Sequence, residues 1–260
     1  LASRTRWVDA MDNVSLREGV MISHFEMLSD WQWYRRRGGS HKPTIRRYMT
    51  NWAEMLAPAT PHLAEEFWDS LGGEGLLASN PLSDLSDLYS KDWSHTLAME
   101  EYLRELIDSA RSIKILAQKH SESPITKMII QTSPLWKSEL ASNAIRMSLS
   151  DFDFKGKGQE YLKNLPIFSN ETLRGEIFQT WMSMTSGTKK KRGRINTWSQ
   201  GQKTLLTNDF DETSMINRNS SFIAHSLGIE HVESYRVGDG EDVAGKARVA
   251  FPLEPGIAFL

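Results

Sequence analysis

Apolar residues recur at three- and four-residue intervals through most of the first 120 positions, the period of helices with one buried face. Residues 3–12 (SRTRWVDAMD) read as the tail of a first helix. Ser15, followed by Glu18, has the form of a capping box for a second, with Leu16, Val20, Phe25 and Leu28 on its buried face. That helix runs into WQWYRRRGG (31–39), where Gly38 and Gly39 stop it. Pro43 starts a third helix, and Ile45, Tyr48, Met49, Trp52, Met55 and Leu56 share one side of it. The stretch APATPHLAEEFW (57–68) then predicts a sharp corner. Pro58 ends the third helix, Thr60 caps the fourth, and Pro61 takes the first helical position, where its missing N–H costs nothing. Glu65 and Glu66 fall near the positive end of the helix dipole. Leu63, Ala64, Phe67, Trp68 and Leu71 make the apolar face, and Gly72 and Gly73 end the helix.

Residues 72–95 are rich in Gly, Ser, Asp and Pro and predict a long loop, a length more often seen in functional or wrapping segments. A fifth helix covers 96–119, with Met99, Leu103, Leu106, Ala110, Ile113 and Ala117 as its seam. The texture then changes. Ser123-Pro124 breaks the helix, and the β-branched run 125–132 predicts a strand. Helices are expected over 134–147, 159–164 and 171–185, and a helical pair over 198–227 ending at Gly228. Strands are expected at 229–237 and 246–251, joined by the turn GDGED, before an extended apolar end. The expected fold is therefore mainly α: a helical bundle over 1–120 and a smaller α+β domain over 121–260, with no internal repeat.

Composition narrows the chemistry. Of 260 residues, 39% are hydrophobic and 25% charged, an ordinary globular balance. The net charge of −2 excludes binding of nucleic acid through bulk charge, so any such contact must be local. The absence of cysteine excludes disulfides and thiolate metal sites and fits a reducing compartment. No apolar run approaches the roughly 18–20 residues of a membrane span. The chain begins at Leu1, already within a helical pattern, which suggests a piece of a longer polypeptide. Nucleophile elbows, phosphate loops, dinucleotide fingerprints and zinc spacings are all missing. His225 and His231 are separated by Gly228, and His62 sits at a helix start. No catalytic residue and no metal ligand are assigned.

Two basic clusters stand out. Arg35, Arg36, Arg37, Lys42, Arg46 and Arg47 lie in a stretch without an acid from Gln32 to Ala53. Trp31, Trp33, Tyr34 and Tyr48 either lie beneath this patch or offer a stacking face. Lys189, Lys190, Lys191, Arg192 and Arg194 form the second, with no acid from Gln179 to Asn208. Arginine forks suit phosphate. Solvated helix ends and a flexible loop would produce the same charge runs.

The string WQWYRRR, followed by WAEMLAPATPHLAEEFW and LGGEG, resembles the anticodon-binding helical domain of class I aminoacyl-tRNA synthetases of the leucine, isoleucine and valine subgroup. LGGEG (71–75) and the ending GKARVAFPLEPGIAFL (245–260) look most like leucyl-tRNA synthetases of the archaeal and eukaryotic kind. The resemblance is specific over residues 1–118. It implies a tRNA-gripping C-terminal part whose partners are tRNA-Leu and an upstream catalytic domain, with no DNA and no membrane. It also implies a cytoplasmic parent enzyme that uses ATP and magnesium, neither of them held by this part, because the HIGH-type and KMSKS-type signatures are absent here. The two basic clusters would be the RNA-binding residues, and the end around Pro255, Gly256, Ile257, Ala258 and Phe259 would lie near the long variable arm. A protein-interaction module within a synthetase assembly, and the equivalent region of an isoleucyl or valyl enzyme, are the alternatives.

Overall fold

The computed structural model describes residues 2–89, 91–121, 123–150, 152–186 and 193–260. The chain divides into two compact units, 1–92 and 93–260.

The first unit holds α1 (Ala2–Asp12), α2 (Leu16–Val20), a π-helical stretch (Met21–Glu26), α3 (Met27–Arg36), α4 (Lys42–Leu56), α5 (Pro61–Ser70), a 3-10 turn (Leu77–Ser79) and α6 (Ser86–Tyr89). Trp7, Ile22, Met27 and Met55 form one core cluster, and Ala53, Leu56, Ala64 and Leu77 another. The long second helix buries a different side from the expected one. Leu16, Phe25 and Leu28 are exposed, while Gly19, Ile22, Ser23 and Met27 face inward. Close approach decides this. A Cβ on Gly19 would lie 2.7 Å from the Met11 sulfur. At the π-helical stretch the Ser23 carbonyl accepts a hydrogen bond from Trp52 Nε1 at 2.6 Å. Small and polar residues line the contact, and an apolarity pattern cannot mark them.

The corner at 57–61 forms where expected, with Pro61 at the start of α5. Its details differ. Neither Ser15 nor Thr60 caps through its side chain. Thr60 instead donates back to the Leu56 carbonyl at 3.2 Å. Leu63 is exposed and Ala64 buried. Glu65 reaches past the dipole to accept from the Leu77 and Ala78 amides at 2.8 and 3.0 Å, which pins the loop after α5. Arg4 is buried against Asn51 and Glu54, the latter at 2.8 Å.

The second unit begins with α7 (Ser94–Lys119), then β1 (Lys127–Thr132), α8 (Leu135–Leu149), α9 (Phe154–Asn164), α10 (Arg174–Thr185), α11 (Gln200–Thr207), α12 (Glu212–Arg218), α13 (Ser220–Leu227), β2 (His231–Arg236) and β3 (Gly256–Phe259). The expected boundary near 120 groups α7 with the first bundle. Packing groups it with the second unit, where it lies against α11 and α13. Its buried stripe is broader than the expected seam: Tyr102, Leu103, Leu106, Ile107 and Ala110 are buried, and Ile113 is exposed.

The sheet order is β2-β1-β3, with β2 parallel and β3 antiparallel to β1. Residues 246–251 are therefore not the hairpin partner of β2. They lie in 3-10 turns (Val243–Val249) and the short connection after them, and the terminal run supplies the strand. Central β1 is buried, so its backbone groups must be paired on both edges. Leu140, Ile145, Leu162, Ile177, Trp181 and Met184 fill the main core of this unit. Elsewhere in the unit Tyr102 donates to Glu212 Oε1 at 2.6 Å, and both are buried. Burial pushes the Glu212 carboxyl up to about 7, although the Tyr102 hydroxyl and the Leu253 amide pull the other way.

Candidate nucleic-acid interface

The first basic cluster sits at the α3–α4 turn, and the turn chemistry explains why its members meet. α3 ends in a Schellman-type cap: the Gly39 amide donates to the Tyr34 carbonyl at 2.9 Å, and the Gly38 amide to the Arg35 carbonyl at 3.0 Å. Gly38 has a φ of +80°, which a side chain rarely adopts. The Tyr34 ring lies so close to Gly39 that a Cβ there would come within 2.3 Å of it. The Tyr34 hydroxyl accepts from the His41 amide at 3.2 Å, which brings the ends of α3 and α4 together.

α3 thus delivers Arg35 and Arg36 at its C-terminal end, where the dipole favours cations. Arg37 is the residue that caps it. α4 delivers Lys42 at its first residue and Arg46 one turn on, where the dipole disfavours cations. His41 Nδ1 accepts from the Thr44 amide at 3.4 Å, and no acid sits in that first turn. Arg35, Arg36, Lys42 and Arg46 are exposed, and Arg37 is half-buried.

The aromatic residues lie beneath the charges. Trp31 stacks on Tyr34 and Tyr48, with centroids 6.1 and 6.2 Å away, and Tyr48 meets Trp52 edge-on at 6.0 Å. This ladder ties α3 to α4. The guanidinium groups of Arg35 and Arg36 lie 5.6 Å from the ring centres of Trp31 and Trp33. Of the two roles open to these rings, three of them act as supports, and all four are half-buried.

Arg47 behaves differently from its neighbours. Its guanidinium makes two bonds to the Asp87 carboxylate, one of them 2.8 Å, and donates to the Asp84 carbonyl at 3.2 Å. The Arg47 guanidinium in turn holds the Asp87 carboxyl below the usual carboxylate range. Asp84 and Asp87, the acids that engage Arg47, were missed by charge counting because they lie some forty residues further along the chain, in the SDLSDL stretch at 83–88. The loop they belong to has its own bundle as a partner, through Arg47, Glu54, Glu65 and Thr5.

Of the second cluster, Lys189, Lys190, Lys191 and Arg192 lie outside the described residues. Arg194 is described, and it is engaged within the chain. It pairs with Glu254 at 2.8 Å and lies 4.0 Å over the Phe251 ring. The apolar end is likewise not an open face: Ile257 and Ala258 are buried in β3. Among the described residues no three His, Asp or Glu side chains gather to hold a metal ion, and no helix is long and apolar enough to cross a membrane.

Residues 6–129 match the family described as the anticodon-binding domain of tRNA ligase. The match contains the whole α3–α4 turn. The relatives of the full chain are more particular: they are leucine–tRNA ligases of archaea. A leucine–tRNA ligase of Methanococcus maripaludis (strain C7) is 26% identical over 260 residues, covering 95% of this chain and 22% of its own length. That of Methanococcoides burtonii is 28% identical, covering 96% of this chain and 24% of its own. That of Pyrococcus furiosus is 25% identical, covering 96% and 23%. The chain thus spans about a quarter of the length of these relatives or less.

Proposed function

We propose that this chain is the tRNA-gripping C-terminal part of a leucine–tRNA ligase. It holds tRNA-Leu so that catalytic domains elsewhere in the polypeptide can leucylate its 3′ end with ATP, in the cytoplasm. The observation that carries the reading is the α3–α4 turn. It gathers Arg35, Arg36, Arg37, Lys42 and Arg46 within the stretch that matches the anticodon-binding family. Arg47 and Arg194 are left out of the contact set, because carboxylates of the chain already engage them.

The mechanism is electrostatic docking. Side chains at the turn displace counterions from tRNA phosphates, and a shape match adds selectivity. The contribution to catalysis is positional, since a held tRNA body presents its acceptor end to a distant site. ATP and magnesium are assigned to the rest of the enzyme, and no step is routed through them.

Fluorescence anisotropy with a tRNA-Leu transcript tests this between 50 and 200 mM salt. Four to five neutralised phosphates give a log–log salt slope of roughly −3 to −4.5. Replacing Arg35, Arg36, Lys42 and Arg46 together by Ala is expected to abolish most of that slope. A folded variant that binds like the parent removes the turn from the mechanism.

A further inference from the structure

We propose that residues 84–87 form a built-in anion that occupies Arg47 and keeps it from an RNA phosphate. This rests on the RNA-binding reading above and sharpens it. By sequence Arg47 belongs to the basic cluster. In the fold its fork meets two Asp87 oxygens and the Asp84 carbonyl, the close set of acceptors that a phosphate would also present.

The acidic segment reaches Arg47 through contacts that do not involve Arg47. The Asp84 carboxylate fixes the turn before α6 by accepting from the Ser86 amide at 2.8 Å and its hydroxyl at 2.9 Å. Glu54 accepts from the Ser83 amide at 2.9 Å. Leu85 is buried, and Tyr89 meets Thr5 hydroxyl to hydroxyl at 3.0 Å. Asp87 is therefore held in place whether or not it bonds to Arg47. The pair itself is largely exposed, with 38% and 64% of the two side chains accessible, so it adds little to folding stability. Its consequence is for binding: one arginine of the cluster is withheld, and Asp87 sets how many phosphates the turn can engage.

The test uses the intact chain and the tRNA-Leu transcript in the same salt titration. Asp87→Asn is expected to tighten binding two- to fivefold at 50 mM salt and to steepen the slope by roughly 0.7–0.9, one further phosphate. Combined with Arg47→Ala, the same substitution is expected to leave the slope as in the parent. Arg47→Ala alone is expected to leave the slope unchanged and, because it bares the Asp87 carboxylate beside the turn, to weaken binding by no more than about twofold at 50 mM salt. The inference is overturned if Asp87→Asn leaves the slope unaltered, or if the gain persists without Arg47, which would mark it as removal of bulk charge. It is equally overturned if Arg47→Ala alone flattens the slope by one contact. Binding by the parent that does not respond to salt would instead overturn the RNA-binding reading itself.

Discussion

Glu212 gives the most quantitative handle on the second unit. Its carboxyl titrates at about 7 in the fold, against an ordinary value of 4.5. The folded state therefore binds more protons than the unfolded state between these values, and stability falls as pH rises through the window. Below about 4.5 the contribution is fully present, and above about 7 it is lost. The shift corresponds to roughly 3 kcal/mol at most, as an order of magnitude. Glu212→Gln keeps an oxygen for the Tyr102 hydroxyl and removes the charge. At pH 8 to 9 the variant is expected to be more stable than the parent by about 1–3 kcal/mol. Near pH 5 the two are expected to converge, or the parent to lead slightly. Urea unfolding followed by circular dichroism at a series of pH values measures the difference. Arg236, Asp211 and Tyr102 remain in both proteins, so their own effects cancel to first order. A difference between the two proteins that stays constant from pH 5 to 9 would refute the assignment of a buried, proton-binding carboxyl.

Two substitutions test the packing arguments. Glu54→Ala leaves the Arg4 guanidinium buried without its carboxylate and releases Ser83, so a loss of about 3–5 kcal/mol is expected in urea unfolding; a loss below about 1 kcal/mol would contradict the buried pair. Gly256→Ala places a methyl 2.3 Å from the Lys246 carbonyl oxygen, a backbone atom that cannot swing aside. A loss of about 1–3 kcal/mol, with faster hydrogen exchange along β1 and β3, is the expected result. Unchanged exchange there would argue against the close approach of the 3-10 turns to β3.

Much of the local structure was legible along the chain. Pro58 and Pro61 announced the corner and Gly38 and Gly39 the end of α3, because proline and glycine act through backbone geometry that needs no neighbour. The run at 125–132 read as a strand because β-branched residues crowd into it. Other features depend on partners distant in sequence. The buried side of the second helix follows from Gly19 and Ser23 meeting α1 and Trp52, and neither residue carries an apolar signal. The choice of 256–259 over 246–251 as the third strand is a matter of which segment reaches the free edge of β1.

The candidate interface divides the same way. Sequence alone determined that cations gather at 35–47 without an acid among them, and that a turn separates two helices there, since charge and turn chemistry are properties of the residues themselves. Only the tertiary structure decided that Arg47 in this stretch, and Arg194 in the second basic run, are engaged by carboxylates of the same chain. Arg47 and Arg194 meet Asp87 and Glu254 across 40 and 60 positions of chain, and an ion pair is made by distance in space, which spacing along the sequence does not report.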